Sequence, residues 1–127
     1  MNTNTSEKIA ILGISDKSER YSFKAHQKLL ENGFLNQVGV SPKKLDIAQI
    51  EIVESLDNLI DTGVHTLTLY VGEQRLESMI ESILAISPKR IIFNPGTENQ
   101  NLMVQAAKAN IEVIEGCTLV MLATDQF

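Results

Sequence analysis

The sequence is poor in the residues from which catalytic and metal centres are most often built. It holds one cysteine and two histidines. A lone cysteine cannot close an internal disulfide, which fits a reducing, cytoplasmic compartment. His26 lies on a helix-like stripe and His65 just before a strand-like run. Neither has a cysteine or a second histidine at ligand spacing, so no metal site is expected. Long uncharged stretches are missing too: runs such as Thr62 to Gly72 fall far short of the ~20 residues that span a bilayer. The polar start, Met1 to Ser6, has neither the basic nor the apolar region of a secretory signal, so no membrane association is expected. Positive charge is in deficit: a formal net charge of −5 argues against a general nucleic-acid binder. A small anion held by a local cluster is not excluded.

What is present is a globular composition, 43% hydrophobic and 21% charged over 127 residues. That is enough chain for one domain with one core, spanning residues 1–127 with residues 1–7 flexible. Short β-like runs alternate with helix-like runs. Lys8 to Gly13 reads as a buried central strand, followed by a helix over Ser22 to Asn32 with Phe23, His26, Leu29 and Leu30 on one stripe. Gly33 is placed to end that helix in the left-handed conformation. Leu35 to Val40 is a second strand; Leu45 to Leu56 holds a short edge strand with one wet face, and a short helix precedes Gly63. Thr66 to Val71 is β-branched and aromatic. The spacing of Leu76, Met79, Ile80, Ile83 and Leu84 predicts a single amphipathic helix. Arg90 to Asn94 is a strand, Thr97 caps a helix running to about Asn110, Ile111 to Ile114 is a last strand, and Cys117 to Ala123 a tail helix. The expected fold is α/β: a Rossmann-like three-layer sandwich with a mainly parallel sheet of five or six strands.

In such sheets ligands bind beyond the carboxyl ends of the strands, which selects the loops to inspect. Gly13-Ile14-Ser15-Asp16-Lys17-Ser18-Glu19-Arg20 follows the first strand. Its glycine permits close backbone approach, and the next helix offers free N–H groups to an anion. It lacks both GxGxxG and the GK[ST] of a P-loop, and reads equally as a plain strand-to-helix turn. After the second strand, where NAD-binding domains place an acid for the ribose, stand Ser41-Pro42-Lys43-Lys44. Two ammonium groups there suit a ribose phosphate, as on coenzyme A or NADP; the other reading is a pair of solvated lysines. Tyr70-Val71-Gly72 could flank an adenine, and Asn94-Pro95-Gly96-Thr97-Glu98 could close over a pantetheine arm or be a simple turn. Cys117, after a glycine at a helix start, could be an activated thiol but reads better as a buried structural one. Nothing in the spacing fixes an approach of Glu98 to Glu115. No catalytic set emerges.

Taken together, KIAILGIS, RYSFKAHQKLLENGF, VGVSPKK, LYVGEQ, RIIFNPGTEN and NIEVIEGCTLVML resemble the small single-domain CoA-binding proteins of the Rossmann type. These are similar to the nucleotide-binding domain of the succinyl-CoA synthetase alpha subunit. The resemblance runs from about Lys8 to Met121. It implies that a CoA nucleotide lies across the carboxyl edge, with Gly13, Ile14 and Ser15 around its phosphates and Arg20 or Lys17 as a charge partner. By the same resemblance Ser41, Pro42 and Lys43 meet the ribose phosphate, Tyr70 and Val71 stand beside the adenine, and Asn94, Pro95 and Gly96 form the loop before the next helix. Cys117 matches a cysteine common at the tail helix. Departures are Ser41-Pro42 for the commoner Asn-Pro, Phe93-Asn94-Pro95-Gly96 for an aromatic-x-Gln-x-Gly pattern, and the three residues Gly72, Glu73 and Gln74 before Arg75. The synthetase's phosphorylated histidine belongs to another domain, so ligase chemistry is not expected.

The reading is thus a stand-alone, non-catalytic module binding CoA, an acyl-CoA or a related adenine nucleotide, with no nucleic-acid partner and self-association left open. Two alternatives remain: a degenerate Rossmann interaction protein without a ligand, and an NADP-binding enzyme, against which the missing glycines speak.

Overall fold

A computed structural model describes residues 3–127. Six strands form one sheet: β1 (Lys8–Leu12), β2 (Gln37–Val40), β3 (Glu51–Val53), β4 (Val64–Leu69), β5 (Arg90–Phe93) and β6 (Glu112–Glu115). Their order is β3-β2-β1-β4-β5-β6, and every neighbouring pair is parallel. The sheet is Rossmann-like, at the larger end of the expected range, and its strand order reverses between β1 and β4. The helices are α1 (Tyr21–Glu31), α2 (Glu73–Glu77), α3 (Ile80–Ile86), α4 (Gln100–Lys108) and α5 (Thr118–Ala123), with a 3-10 turn at Leu56–Leu59.

Side-chain alternation along the strands builds the three layers. In β1, Ile9 and Ile11 join one apolar cluster while Ala10 and Leu12 join the other. The first cluster takes in Leu29 of α1 and Leu122 of α5; the second takes in Leu76, Ile80, Ile83 and Leu102 from α2, α3 and α4. A parallel sheet covered on both faces needs near-continuous apolar strands, and Ile91, Ile92 and Phe93 of β5 are at most 1% exposed. The edge strand β3 keeps Glu51 exposed, as its composition implies.

Several boundaries differ from the sequence reading. The stripe through Leu76 and Leu84 is carried by two short helices, not one. At the seam the Met79 N–H bonds three residues back to the Leu76 carbonyl, and Ser78 Oγ donates to the Arg75 carbonyl at 2.9 Å. This tightened turn breaks the α-helical ladder while leaving the apolar stripe on the sheet. Thr97 is not the cap of α4: its Oγ1 donates to the Asn94 carbonyl, while Asn99 Oδ1 accepts the Leu102 N–H at 2.8 Å. β4 starts two residues earlier than expected and leaves Tyr70 and Val71 in the following loop. β2 starts later, with Leu35 68% exposed outside it. The expected flexible segment over residues 1–7 falls partly on Met1 and Asn2, outside the described residues; the Thr3 N–H bonds to the Phe127 carbonyl at 2.6 Å. No helix among the described residues is long and apolar enough to cross a membrane.

Candidate functional site

Loops from four strands meet above the point where strand order reverses, around a cleft of about 490 Å³. The first is set by two glycines. The Gly13 N–H bonds to the Val40 carbonyl at 3.0 Å, and its φ is +90°. A Cβ there would lie 2.8 Å from the Tyr70 carbonyl oxygen, so the β1 loop crosses the end of β4 closer than any side chain allows. Ile14 then turns inward over β2, where a Cβ on Gly39 would sit 2.7 Å from Ile14 Cγ2. Glycine inside β2 therefore seats the loop on the sheet.

Beyond Ser15, whose Oγ accepts the Lys17 N–H at 3.1 Å, the chain enters α1 with Arg20 at the cap position. No side chain caps that helix and no acid stands in its first turn. Its free N–H groups and positive pole open toward the cleft, where Arg20, Tyr21 and Ser22 form part of the wall. On the far side Ser41 Oγ accepts the Lys43 N–H at 3.1 Å, a local turn that carries Lys43 to the rim. Lys44 does not line the cleft, so the expected pair of ammonium groups is reduced to one.

The floor is a buried polar network. Asn94, 3% exposed, donates through Nδ2 to Thr68 Oγ1 at 2.7 Å and to the Leu69 carbonyl at 2.8 Å. Its Oδ1 accepts the Thr118 N–H at 2.8 Å, and the Thr68 and Thr118 hydroxyls pair at 2.8 Å. Asn94 thus joins the ends of β4 and β5 to the start of α5, and lies beneath the cleft instead of in its wall. Tyr70 stands beside this network. Burial pushes its phenol up to about 12, with the Thr118 and Thr68 hydroxyls pulling the other way. At neutral pH it is a hydrogen-bond donor and not a base.

Twelve of the residues singled out from sequence line this one cleft: Gly13, Ile14, Ser15, Lys17, Arg20, Ser41, Pro42, Lys43, Tyr70, Val71, Pro95 and Gly96. Asn94 is the exception. The wall also includes Asp16, Leu45, Gly72, Arg75 and Thr97. Arg75 was the one to find: it stands in the first turn after the β4 loop, on the polar side of the Leu76 stripe. Lys17, Arg20, Lys43 and Arg75 face a single acid, Asp16. Cys117 is outside the wall and half-buried, not fully buried as a structural thiol would be. Glu98 is engaged by the Gly96 N–H at 3.0 Å. Among the described residues no group of three His, Cys, Asp or Glu side chains could hold a metal ion.

The profile of a family described as the CoA binding domain matches residues 7–123. The chain belongs to that family. No curated protein matches. A crystal structure of an uncharacterized protein is 36% identical, superposes with a TM-score of 0.87, and covers 98% of this chain and 100% of its own. A hypothetical protein from Pyrococcus horikoshii OT3 is 22% identical over 94% of this chain and 83% of its own, with a TM-score of 0.83. A dinucleotide-forming acetyl-coenzyme A synthetase from Ca. Korarchaeum cryptofilum, solved with phosphate and ADP, is 15% identical with a TM-score of 0.70. The match covers 87% of this chain but 25% of that one, and shows the shared fold alone. Membership of the CoA binding domain family agrees with the position of the cleft at the switch point of the sheet.

Proposed function

We propose that this cleft binds coenzyme A or an acyl-CoA, and that the chain acts as a single-domain binding module without chemistry of its own. The observation that carries the reading is the gathering of four cations and an uncapped helix N-terminus against one acid, at the switch point of a CoA binding domain. A diphosphate bridge near the Gly13–Ser15 loop meets free N–H groups, with Lys17 and Arg20 beside them. A ribose phosphate near Ser41–Lys43 meets the Lys43 ammonium. The adenine rests on Tyr70 and Val71, and the pantetheine arm passes the loop of Pro95, Gly96 and Thr97. A volume of about 490 Å³ lies within the usual range for cofactor clefts, roughly 300–1,000 Å³.

The test is calorimetry with CoA, together with the melting temperature. A ligand selective for the folded state at a hundred times its Kd adds about 2.7 kcal/mol of stability. Binding heat and an upward melting shift are expected. Neither at millimolar CoA would refute the reading.

A further inference from the structure

The loop that brings Lys43 to the cleft is packed through Ile47 into the apolar cluster around Leu29, and its backbone is tied to α1 by one side chain. His26 of α1 is fully buried, 0% exposed, with its ring edge-on to Phe23 at 6.2 Å between centroids. Its Nδ1 lies 2.9 Å from Gln37 Oε1 and its Nε2 3.0 Å from the Ala48 carbonyl oxygen. The Gln37 amide cannot turn over, because its Nε2 donates to the Phe34 carbonyl at 2.8 Å and approaches the His26 carbonyl at 3.4 Å. The ring therefore stands between two oxygens, and in its bond to the Ala48 carbonyl the Nε2–H is the donor.

The second bond is the one that matters for the cleft. Apart from the local bond from the Lys43 N–H to Ser41, it is the single hydrogen bond joining residues 42–49 to the rest of the chain among the described residues. It sits beside Gln49, whose left-handed φ of 65° a non-glycine residue adopts at a cost. The charged side chains of the segments packed around the ring are Lys24 and Lys28 of α1, Lys43, Lys44 and Asp46 of the loop, and Glu51 of β3; all are exposed. No carboxylate oxygen among the described residues lies within 4.0 Å of the ring nitrogens.

We infer that His26 is a positioning residue that ties down the 42–49 loop through its bond to the Ala48 carbonyl and so aims Lys43 into the cleft. This rests on the CoA reading of the cleft. Loss of the bond from Nε2 to the Ala48 carbonyl frees the loop and weakens the grip on the group that Lys43 meets, the ribose phosphate.

Two measurements test it, on the full chain and on His26→Phe and His26→Gln. The first needs no ligand: amide hydrogen exchange of residues 43–50 at one pH for all three proteins. Protection about tenfold lower in both variants than in the parent is expected, with exchange of β1 and β4 unchanged. The second compares CoA with dephospho-CoA. Both variants should lose about tenfold for CoA and keep dephospho-CoA affinity within about twofold. Equal protection of residues 43–50 in parent and variants, or equal losses for both ligands, would overturn the inference. If one variant does not fold, the other decides. If the parent binds no CoA, the cleft reading falls, and exchange still decides whether His26 is the anchor.

Discussion

Gly13→Ala would place a Cβ 2.8 Å from the Tyr70 carbonyl oxygen and 2.9 Å from Val71 Cγ1, at a φ of +90°. Two costs add. Holding an alanine at that φ costs about 1–2 kcal/mol. Forcing the β1 loop off the end of β4 costs about 1–3 kcal/mol more, because the nearest obstacle is backbone and not the tip of a flexible side chain. Gly96 separates the two contributions: it has the same φ of +90° and nothing within 4 Å of an added Cβ. Gly96→Ala therefore carries the strain without the clash. In urea unfolding the Gly13 variant should lose about 2–5 kcal/mol and the Gly96 variant about 1–2 kcal/mol, with unchanged m-values. Set against a typical stability of roughly 5–15 kcal/mol, both variants stay folded in the cold. The excess at Gly13 corresponds to a melting temperature lower by about 4–12 °C. Equal losses within about 0.5 kcal/mol would mean that the β1 loop does not press on the end of β4, and the cleft as described would be wrong.

Tyr70 offers a spectroscopic check. The difference in phenolate absorbance between the parent and Tyr70→Phe should rise with a midpoint near 12, above the ordinary 10.0. An acid whose folded-state value is raised contributes stability that is complete below pH 10 and lost as pH climbs toward 12, so the substitution should remove that alkaline loss; a midpoint at 10 would contradict the burial. Lys43→Glu should weaken CoA about tenfold or more while leaving the unliganded protein within about 0.5 kcal/mol of the parent, because the side chain is exposed. CoA affinity should also fall from 50 to 500 mM salt, and less steeply in that variant; salt-independent binding would remove the cations from the explanation.

The fold was legible because its signals are redundant. KIAIL and RIIF are continuous apolar runs, and such runs set between helix-period stretches admit little besides a parallel sheet covered on both faces. What stayed hidden were the places where one hydrogen bond overrules periodicity. Leu76, Met79 and Ile80 fit one helical stripe whether or not the ladder breaks at Ser78, since the stripe reports which side faces the core and not which carbonyl each N–H selects. Thr97 and Asn99 are both good cap residues. The choice fell to Asn99 because the Thr97 hydroxyl is taken by the Asn94 carbonyl, a contact that exists only once the β5 loop has turned.

The site was legible in its backbone parts and less so in its charges. Gly13 and the turn at Ser41 sit at strand ends, where topology dictates the geometry. Long cations are different, because whether a lysine reaches a cleft depends on which way its loop leaves the sheet. Lys43 and Lys44 are neighbours in sequence, yet the turn at Ser41 brings only the first to the wall, and Arg75 arrives from a helix with no motif to mark it. Four of the eleven Lys and Arg residues line the cleft with one of the sixteen Asp and Glu residues. The cleft is therefore formally +3 and the remainder of the chain −8, within a total of −5. At physiological ionic strength the Debye length is about 8 Å, shorter than the molecule, so an anion in the cleft feels the local cluster far more than the distant acids. The same screening reaches only so far. At low salt the surrounding acids repel an approaching polyphosphate before the cleft can attract it, so the net charge acts on the rate of encounter while the four cations act on the lifetime of the complex.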